Sequence, residues 1–408
     1  MRLLPLLFTV FMDSLGFGLV FPIFSPLIVN NEGGIFTDEV TLAVRGLVFG
    51  LLVSSFCLGQ FFGGPILGAL SDKLGRKKIL LHTVWLGLLG YLVAGFSIGI
   101  GSLIALFIGR VLNGLAGGNY SVAQSVVADL SSEKDKTKNF GLLGMAWGAG
   151  FIVGPFVGGK LAPFGYSVPF WVAAFLCLIN VALLQFGMKE SLTVLKKGSI
   201  SVLEAVENVK KAFRIPLLRV LFLSMFIFSF GWGFFTEFSP VFLIKRLSFN
   251  LDQIANFYAW VGIWIALCQG VLIRPFVKRI SSRKLFSFSL LGLGIVLPVL
   301  LWVEKPSGMF FSLPAIALFE AFISPTITTL VSDLSSKESQ GEMLGISNSL
   351  QWAAIALSPM FSGSFVALYP HLPVTVASGC MLMAFAVSLW FFKKKQQTKT
   401  SEETPEGG

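Results

Sequence analysis

The residues with chemistry to offer are few, and four of them stand in apolar surroundings. Asp13, Arg110, Glu237 and Glu320 interrupt long runs of Leu, Phe, Val, Ile and Gly. A carboxylate taken out of water holds its proton more tightly, and a cation beside it loosens that hold. A desolvated acid can therefore load and release a proton as its surroundings change. A guanidinium keeps its charge and needs a counter-charge or a wet cavity. Asp13 is the first choice for a proton-carrying acid, with Arg110 as a candidate partner, and Glu320 is a second acid, for a bound substrate or for a second proton. A structural acid, or a site for a bound cation, is the other reading of Asp13, and a structural ion pair is the other reading of Arg110. Glu237 and the amides Asn113, Gln124, Gln269 and Gln351 are candidate contacts for a bound molecule. Hydrogen bonding between helices accounts for each amide equally well. No nucleophile, base and metal set converges, which argues against an enzyme.

These side chains must be positioned by membrane-spanning helices. Of the 408 residues, 54% are hydrophobic and 13% charged, and the mean hydropathy is +0.80. A span needs roughly 20 apolar residues to cross ~30 Å of hydrocarbon, and its backbone must be hydrogen-bonded within the segment. Twelve such segments are legible, at about 4–29, 46–70, 79–98, 102–128, 140–162, 168–187, 217–244, 254–273, 285–303, 309–331, 343–367 and 374–392. The expected fold is an all-α integral membrane bundle. Asp13 then lies ~15 Å deep and Arg110 ~12 Å deep at 1.5 Å per residue. Glu320 is central in its span, whereas Glu237, in FFTEFSP, lies near the end of its own as a rim residue would.

The net charge of +10 would suggest a nucleic-acid partner in a soluble protein. Here 25 of the 31 Lys and Arg gather at the termini and in alternate connections, on one side of the bundle. That is the positive-inside pattern, and it places both termini in the cytoplasm with no nucleic acid as partner. The first segment, with Asp13 and internal prolines, reads as a retained helix rather than a cleaved signal. Cys57, Cys177, Cys268 and Cys380 fall singly within spans, without metal spacing, so no metal, disulfide or cofactor is expected.

The chain repeats itself. Val126 to Pro155 aligns without gaps on Leu330 to Pro359 at a constant offset of 204, with Asp129, Leu130, Ser131 and Ser132 on Asp333, Leu334, Ser335 and Ser336. Spans four and five thus recur as spans ten and eleven with the same sidedness, giving two parallel six-helix halves. The expected domains are 1–187 and 217–392, joined by a cytoplasmic connection, 188–216, and followed by a disordered tail, 393–408. Within the connection, Ser201 and Glu204 have capping-box spacing and Val202, Val206, Val209 and Phe213 recur at helical intervals, predicting a short amphipathic helix.

Three motifs give the bundle an affinity. GALSDKLGRKKIL, with Gly68, Asp72, Gly75 and Arg76, resembles the signature after the second helix of the major facilitator superfamily. Together with Asp129, these residues would form a cytoplasmic gate whose opposite charges pair and part as helices move. Span five carries Gly141, Gly150, Gly154, Pro155, Gly158 and Gly159 at the spacing of that family's antiporter signature. Its glycines permit close packing and Pro155 supplies a bend. DSLGFGLVFP, from Asp13 to Pro22, resembles the first helix of the tetracycline and multidrug efflux branch, and Arg110 matches the arginine of the family's fourth-helix signature.

The resemblance implies a proton-coupled antiporter that exports small amphipathic molecules by alternating access, embedded in the inner (plasma) membrane and working as a monomer. A solute importer or facilitator of the same fold is the alternative. Tetracycline exporters carry an acid before a tyrosine in span three, where this chain has Gly90 before Tyr91, which argues against that substrate. GPFVGGKL, from Gly154 to Leu161, imitates a phosphate loop, but Leu161 replaces the magnesium-binding hydroxyl and no strand precedes it.

Overall fold

The computed structural model describes residues 3–37, 39–131, 136–192, 207, 216–334 and 340–402. Among them the chain folds into twelve helical elements. The first six are α1 (Leu4–Val29), α2 (Leu42–Leu74), α3 (Arg76–Gly99), α4 (Leu103–Gly117 and Tyr120–Leu130), α5 (Lys136–Leu161) and α6 (Val168–Gly187). The second six are α7 (Pro216–Leu247), α8 (Leu251–Leu267, continuing through Ile273–Arg279), α9 (Ser282–Trp302), α10 (Pro306–Asp333), α11 (Gln340–Leu368) and α12 (Leu372–Glu402). Nine of these are long and apolar enough to span a bilayer unaided. The other three, α4, α8 and α11, are broken or polar within, as helices that line a protein interior can be.

Local sequence explains the ends and breaks. Thr41 and Ser102 accept from the backbone of Val44 and Ala105 to start α2 and α4, and Asn250 with Gln253 forms a complete capping box on α8. Gly75, at φ 99°, makes the tight turn from α2 into α3. α4 breaks at Gly118 and Asn119, where a Cβ on Gly118 would overlap the backbone of Gly63 and Gly64 in α2. α8 passes through a π-helical turn at Cys268–Leu272.

α12 runs on to Glu402, so the expected disordered tail from 393 is helical over its first ten residues. Lys and Gln are good helix formers, and extending an existing helix requires no new nucleus. The predicted amphipathic helix around 201–213 lies outside the described residues.

Within the first half α1 packs on α5 and α6, α3 on α4 and α6, and α2 on α4. Within the second, α7 packs on α11 and α12, α9 on α10 and α12, and α8 on α10. The halves meet along two seams, α2 with α11 and α5 with α8. Three contacts that join them lie at the bundle middle or toward the face opposite the termini. Ser54 donates to the Ala356 carbonyl at 2.9 Å, Phe49 meets Phe238 edge-on at 5.1 Å, and Lys160 pairs with Asp252. Nearer the basic face, a Cβ added at Gly144, Gly148 or Gly345 would meet nothing within 4 Å.

Candidate functional site

Arg110 is the largest fully buried side chain, 1% exposed, in the apolar stretch LFIGRVLNGLAG of α4. Its guanidinium lies over the Phe56 ring at 4.5 Å and 5.3 Å from the Phe24 centroid. Ring faces attract a cation, most strongly where water is absent. None of its three side-chain nitrogens has a hydrogen-bond partner. Its charged neighbour is Glu237, with Cys57 of α2 close to both. Among the described residues no ion pair joins Asp13 to Arg110, and the carboxylate that acts on Arg110 electrostatically is Glu237, on α7 of the second half.

Glu237 is likewise not a rim residue. It is 1% exposed, and neither carboxylate oxygen has a partner. The reason is that α7 continues beyond it through Pro240 to Leu247, three residues past the expected end, while Phe49 of α2 packs on the neighbouring Phe238. Tyr258 of α8, within the field of Glu237, donates to the Thr236 carbonyl at 2.9 Å and shares a 2.8 Å hydrogen bond with Ser239. Sequence reasoning missed this pairing because the two residues lie far apart in the chain and no repeat relates them. The usable signal was that each was a lone charge in an apolar run.

Asp13 sits elsewhere, inside the first half. It hydrogen-bonds with Asn119, which the break in α4 presents toward α1, and its Oδ2 has no partner. Asn113, 4% exposed, lines the same cavity with Asp13 and has neither amide atom bonded. Glu320, on α10, is in the second half near Cys268, at the π turn of α8, and its Oε2 is unpartnered. The acids named from the sequence therefore occupy three separate places: the first half, the seam and the second half.

The remaining amides are dispersed. Gln124 hydrogen-bonds with Tyr120, Gln351 donates to Ser347 Oγ at 3.4 Å, and Gln269 is exposed on the π turn. They do not converge on one point. Aromatic rings do: Phe17 stacks on Phe56 at 5.0 Å and meets Trp352 of the other half edge-on at 5.9 Å, and Trp147 stacks on Phe151 at 5.5 Å.

The residues of the expected gate do assemble. Arg76, 5% exposed, contacts Asp72 at 2.5 Å, Asp129 at 3.2 Å and Ser71 Oγ at 2.5 Å, beside Gly75. Gly68 lies one turn before Asp72, where its carbonyl accepts from Ser71. Glu190, at the end of α6 and unforeseen, completes the knot. Its carboxylate accepts from the backbone of Arg76 at 2.9 Å and Lys77 at 3.1 Å, where a helix N-terminus favours an anion. Ser191 donates to Asp129 at 3.2 Å.

The span-five glycines act as a contact surface. A Cβ on Gly150, Gly154 or Gly158 would overlap the α1 backbone between Phe11 and Leu19, and one on Gly159 would meet Ala255 and the Leu251 carbonyl of α8. Pro155 packs on Gly18. Gly141, the first residue of the pattern, is helical.

Comparison with known proteins agrees with this architecture. The family model for the Major Facilitator Superfamily matches residues 6–276 and 270–408. The Quinolone resistance protein NorA of Staphylococcus aureus (strain COL) is 27% identical, over 98% of this chain and 99% of its own. Multidrug resistance protein 2 of Bacillus subtilis (strain 168) is 24% identical, over 96% and 95%. Among solved structures, a D-xylose-proton symporter superposes with a TM-score of 0.76 at 17% identity, covering 96% of this chain and 98% of that one. The human organic anion transporter MFSD10 gives 0.72 at 22%, covering 95% and 98%.

Proposed function

Because this chain belongs to the Major Facilitator Superfamily, a family of transporters, we propose that it is a proton-coupled exporter of small amphipathic compounds, working by alternating access of its two halves. The two relatives named for quinolone and multidrug resistance, similar over nearly the whole chain, support drug-like cargo. The observation that carries the reading is the Arg110 and Glu237 pair. A buried acid and a buried cation act on one another electrostatically across the distance between the halves, and neither has a hydrogen-bond partner. Rocking of the halves changes that distance, and with it how firmly Glu237 holds a proton.

On this reading the basic face is cytoplasmic and both termini lie there. The halves, joined at the opposite face, are in the state that receives cargo from inside. Asp13, Glu237 and Glu320 carry protons, and Arg110 sets the hold on Glu237. Aromatic rings along the seam, Phe17, Phe56 and Trp352 among them, offer the apolar wall, with Asn113, Gln124, Gln269 and Gln351 as polar contacts. The gate of Asp72, Arg76 and Asp129 holds α2, α3 and α4 in register on the cytoplasmic side. The lipid bilayer, cargo and protons are its partners, and one chain suffices.

The test uses purified protein in liposomes, with an imposed proton gradient and a fluorescent amphipathic cation as cargo. Gradient-driven movement of cargo against the proton, abolished by Glu237→Gln, is the expected result. Movement of cargo with the proton, or transport indifferent to the gradient, refutes the reading.

A further inference from the structure

A second cavity lies at the face opposite the termini, about two helical turns beyond Glu237 along α7. It holds about 420 Å³, within the roughly 300–1,000 Å³ typical of sites for drug-sized molecules. Both halves build it. Pro26 and Glu32, at the end of α1 and just after it, come from the first half, and Ile244, Phe249 and Ile254 come from the second. Pro26, Phe249 and Ile254 are buried, so the floor is apolar, whereas Glu32 and Asp252 stand exposed at its edge.

The charges of the wall are of one sign. Glu32 and Asp252 line the cavity, and among the described residues no Lys, Arg or His does. The two acids are not equivalent. Asp252 is paired with Lys160 across the seam and accepts from Asn256 at 3.4 Å. Glu32 receives neutral donors, the Tyr166 hydroxyl and the Asn30 amide, the latter at 3.1 Å. A carboxylate has about four acceptor positions, so Glu32 keeps its charge and has positions to spare. Lys245 and Arg246 follow Ile244 in the chain but are not part of the wall, and Arg246 donates to the Leu301 carbonyl at the end of α9. An anion would be repelled by both acids. A hydrated metal ion would gain nothing from the apolar floor. A molecule with an apolar body and a single positive charge satisfies the floor and Glu32 together.

We propose that this cavity is a second binding site, separate from the Arg110 and Glu237 region, for a small amphipathic organic monocation arriving from the face opposite the termini. Its charge lies at Glu32 and its apolar body on Phe249, Ile244 and Ile254. Because the walls belong to both halves, a molecule seated there favours the arrangement in which the halves are joined at this face. Occupancy therefore slows transport. That consequence rests on the alternating-access reading, whereas the binding itself does not.

The experiment measures equilibrium binding of radioactive benzyltriethylammonium, a permanently charged aromatic quaternary ammonium, to the purified full-length protein, with neither gradient nor other cargo present. Failure of the export reading would leave this result unaffected. Leu251→Trp, which fills the cavity without touching either acid, should remove one saturable site per chain. Glu32→Gln should weaken that site about five-fold, as loss of an exposed ion pair does at most, and Glu32→Lys should abolish it. Glu237→Gln should leave it in place. Glu32 is exposed, so Glu32→Lys decides the matter if Leu251→Trp does not fold. A number of sites unchanged in both Leu251→Trp and Glu32→Lys overturns the proposal, as does binding lost with Glu237→Gln alone. In liposomes the same compound, added at this face, should slow cargo movement by wild type but not by Leu251→Trp. Equal rates with and without it in wild type, or equal slowing of both proteins, would overturn the effect on transport.

Discussion

Arg110 and Glu237 stand on opposite halves of the chain and are charged neighbours, yet no hydrogen bond joins them. The guanidinium rests on the Phe56 and Phe24 rings, so its position is set by the first half alone. Its effect on Glu237 then depends on how the halves are seated.

A double-mutant cycle measures that dependence. Arg110→Met alone leaves Glu237 as an uncompensated buried charge and should destabilise the protein by about 3–5 kcal/mol in thermal unfolding. With Glu237→Gln already present the cost should fall, with a coupling of about 0.5–3 kcal/mol. Additive effects would mean that the two charges do not interact.

The glycines of α5 divide into two kinds, and substitution should tell them apart. A Cβ on Gly150 would lie 2.8 Å from the Leu15 nitrogen, so Gly150→Ala forces α1 and α5 apart and should cost about 1–3 kcal/mol. Gly144→Ala and Gly148→Ala meet open space and should be neutral or slightly stabilising, since Ala favours the helix. Equal melting temperatures for all three variants would contradict the packing.

Glu190 should matter to transport more than to stability. Besides Arg76 and Lys77 it accepts from the backbone of Ser191 at 3.0 Å and Leu192 at 3.1 Å, tying the start of the connection between the halves to the gate. Glu190→Gln keeps the shape and removes the charge. The loss should be about 1 kcal/mol of stability, as for a weakened helix cap, with a larger fall in transport rate. A fall in stability with transport intact would make Glu190 merely a cap.

Lys160 and Asp252 hold the α5 and α8 ends together at the face opposite the termini, where they are 40% and 54% exposed. An exposed pair contributes about 0–1 kcal/mol, so Lys160→Ala should barely move the melting temperature. It should instead raise labelling of cysteines placed between α5 and α8 from that side, by releasing the seam there. Unchanged labelling would deny the pair any part in closing that face.

Much of this was legible in the residues. Apolar length marked the spans, and the offset between Asp129 and Asp333 marked the halves, because both are properties of contiguous sequence. The glycines of α5 were legible as a packing surface from their four-residue spacing. The partner of Arg110 was not, because pairing across halves depends on how two bundles seat, and Asp13 carried the more familiar motif. Glu237 looked peripheral since span ends are judged from hydropathy, while burial depends on neighbours such as Phe49. Glu190 was silent because a cap is a relation to backbone brought near by folding, and no spacing within the sequence encodes it.

The two seams also imply something about the chain as a whole. By the repeat, α5 corresponds to α11 and α2 to α8, so the contacts α2 with α11 and α5 with α8 are one contact made twice. That is the isologous geometry of a twofold dimer, in which the combined surface of α2 and α5 meets its own counterpart, that of α8 and α11. Halves produced as separate polypeptides should reassociate in the membrane and co-purify.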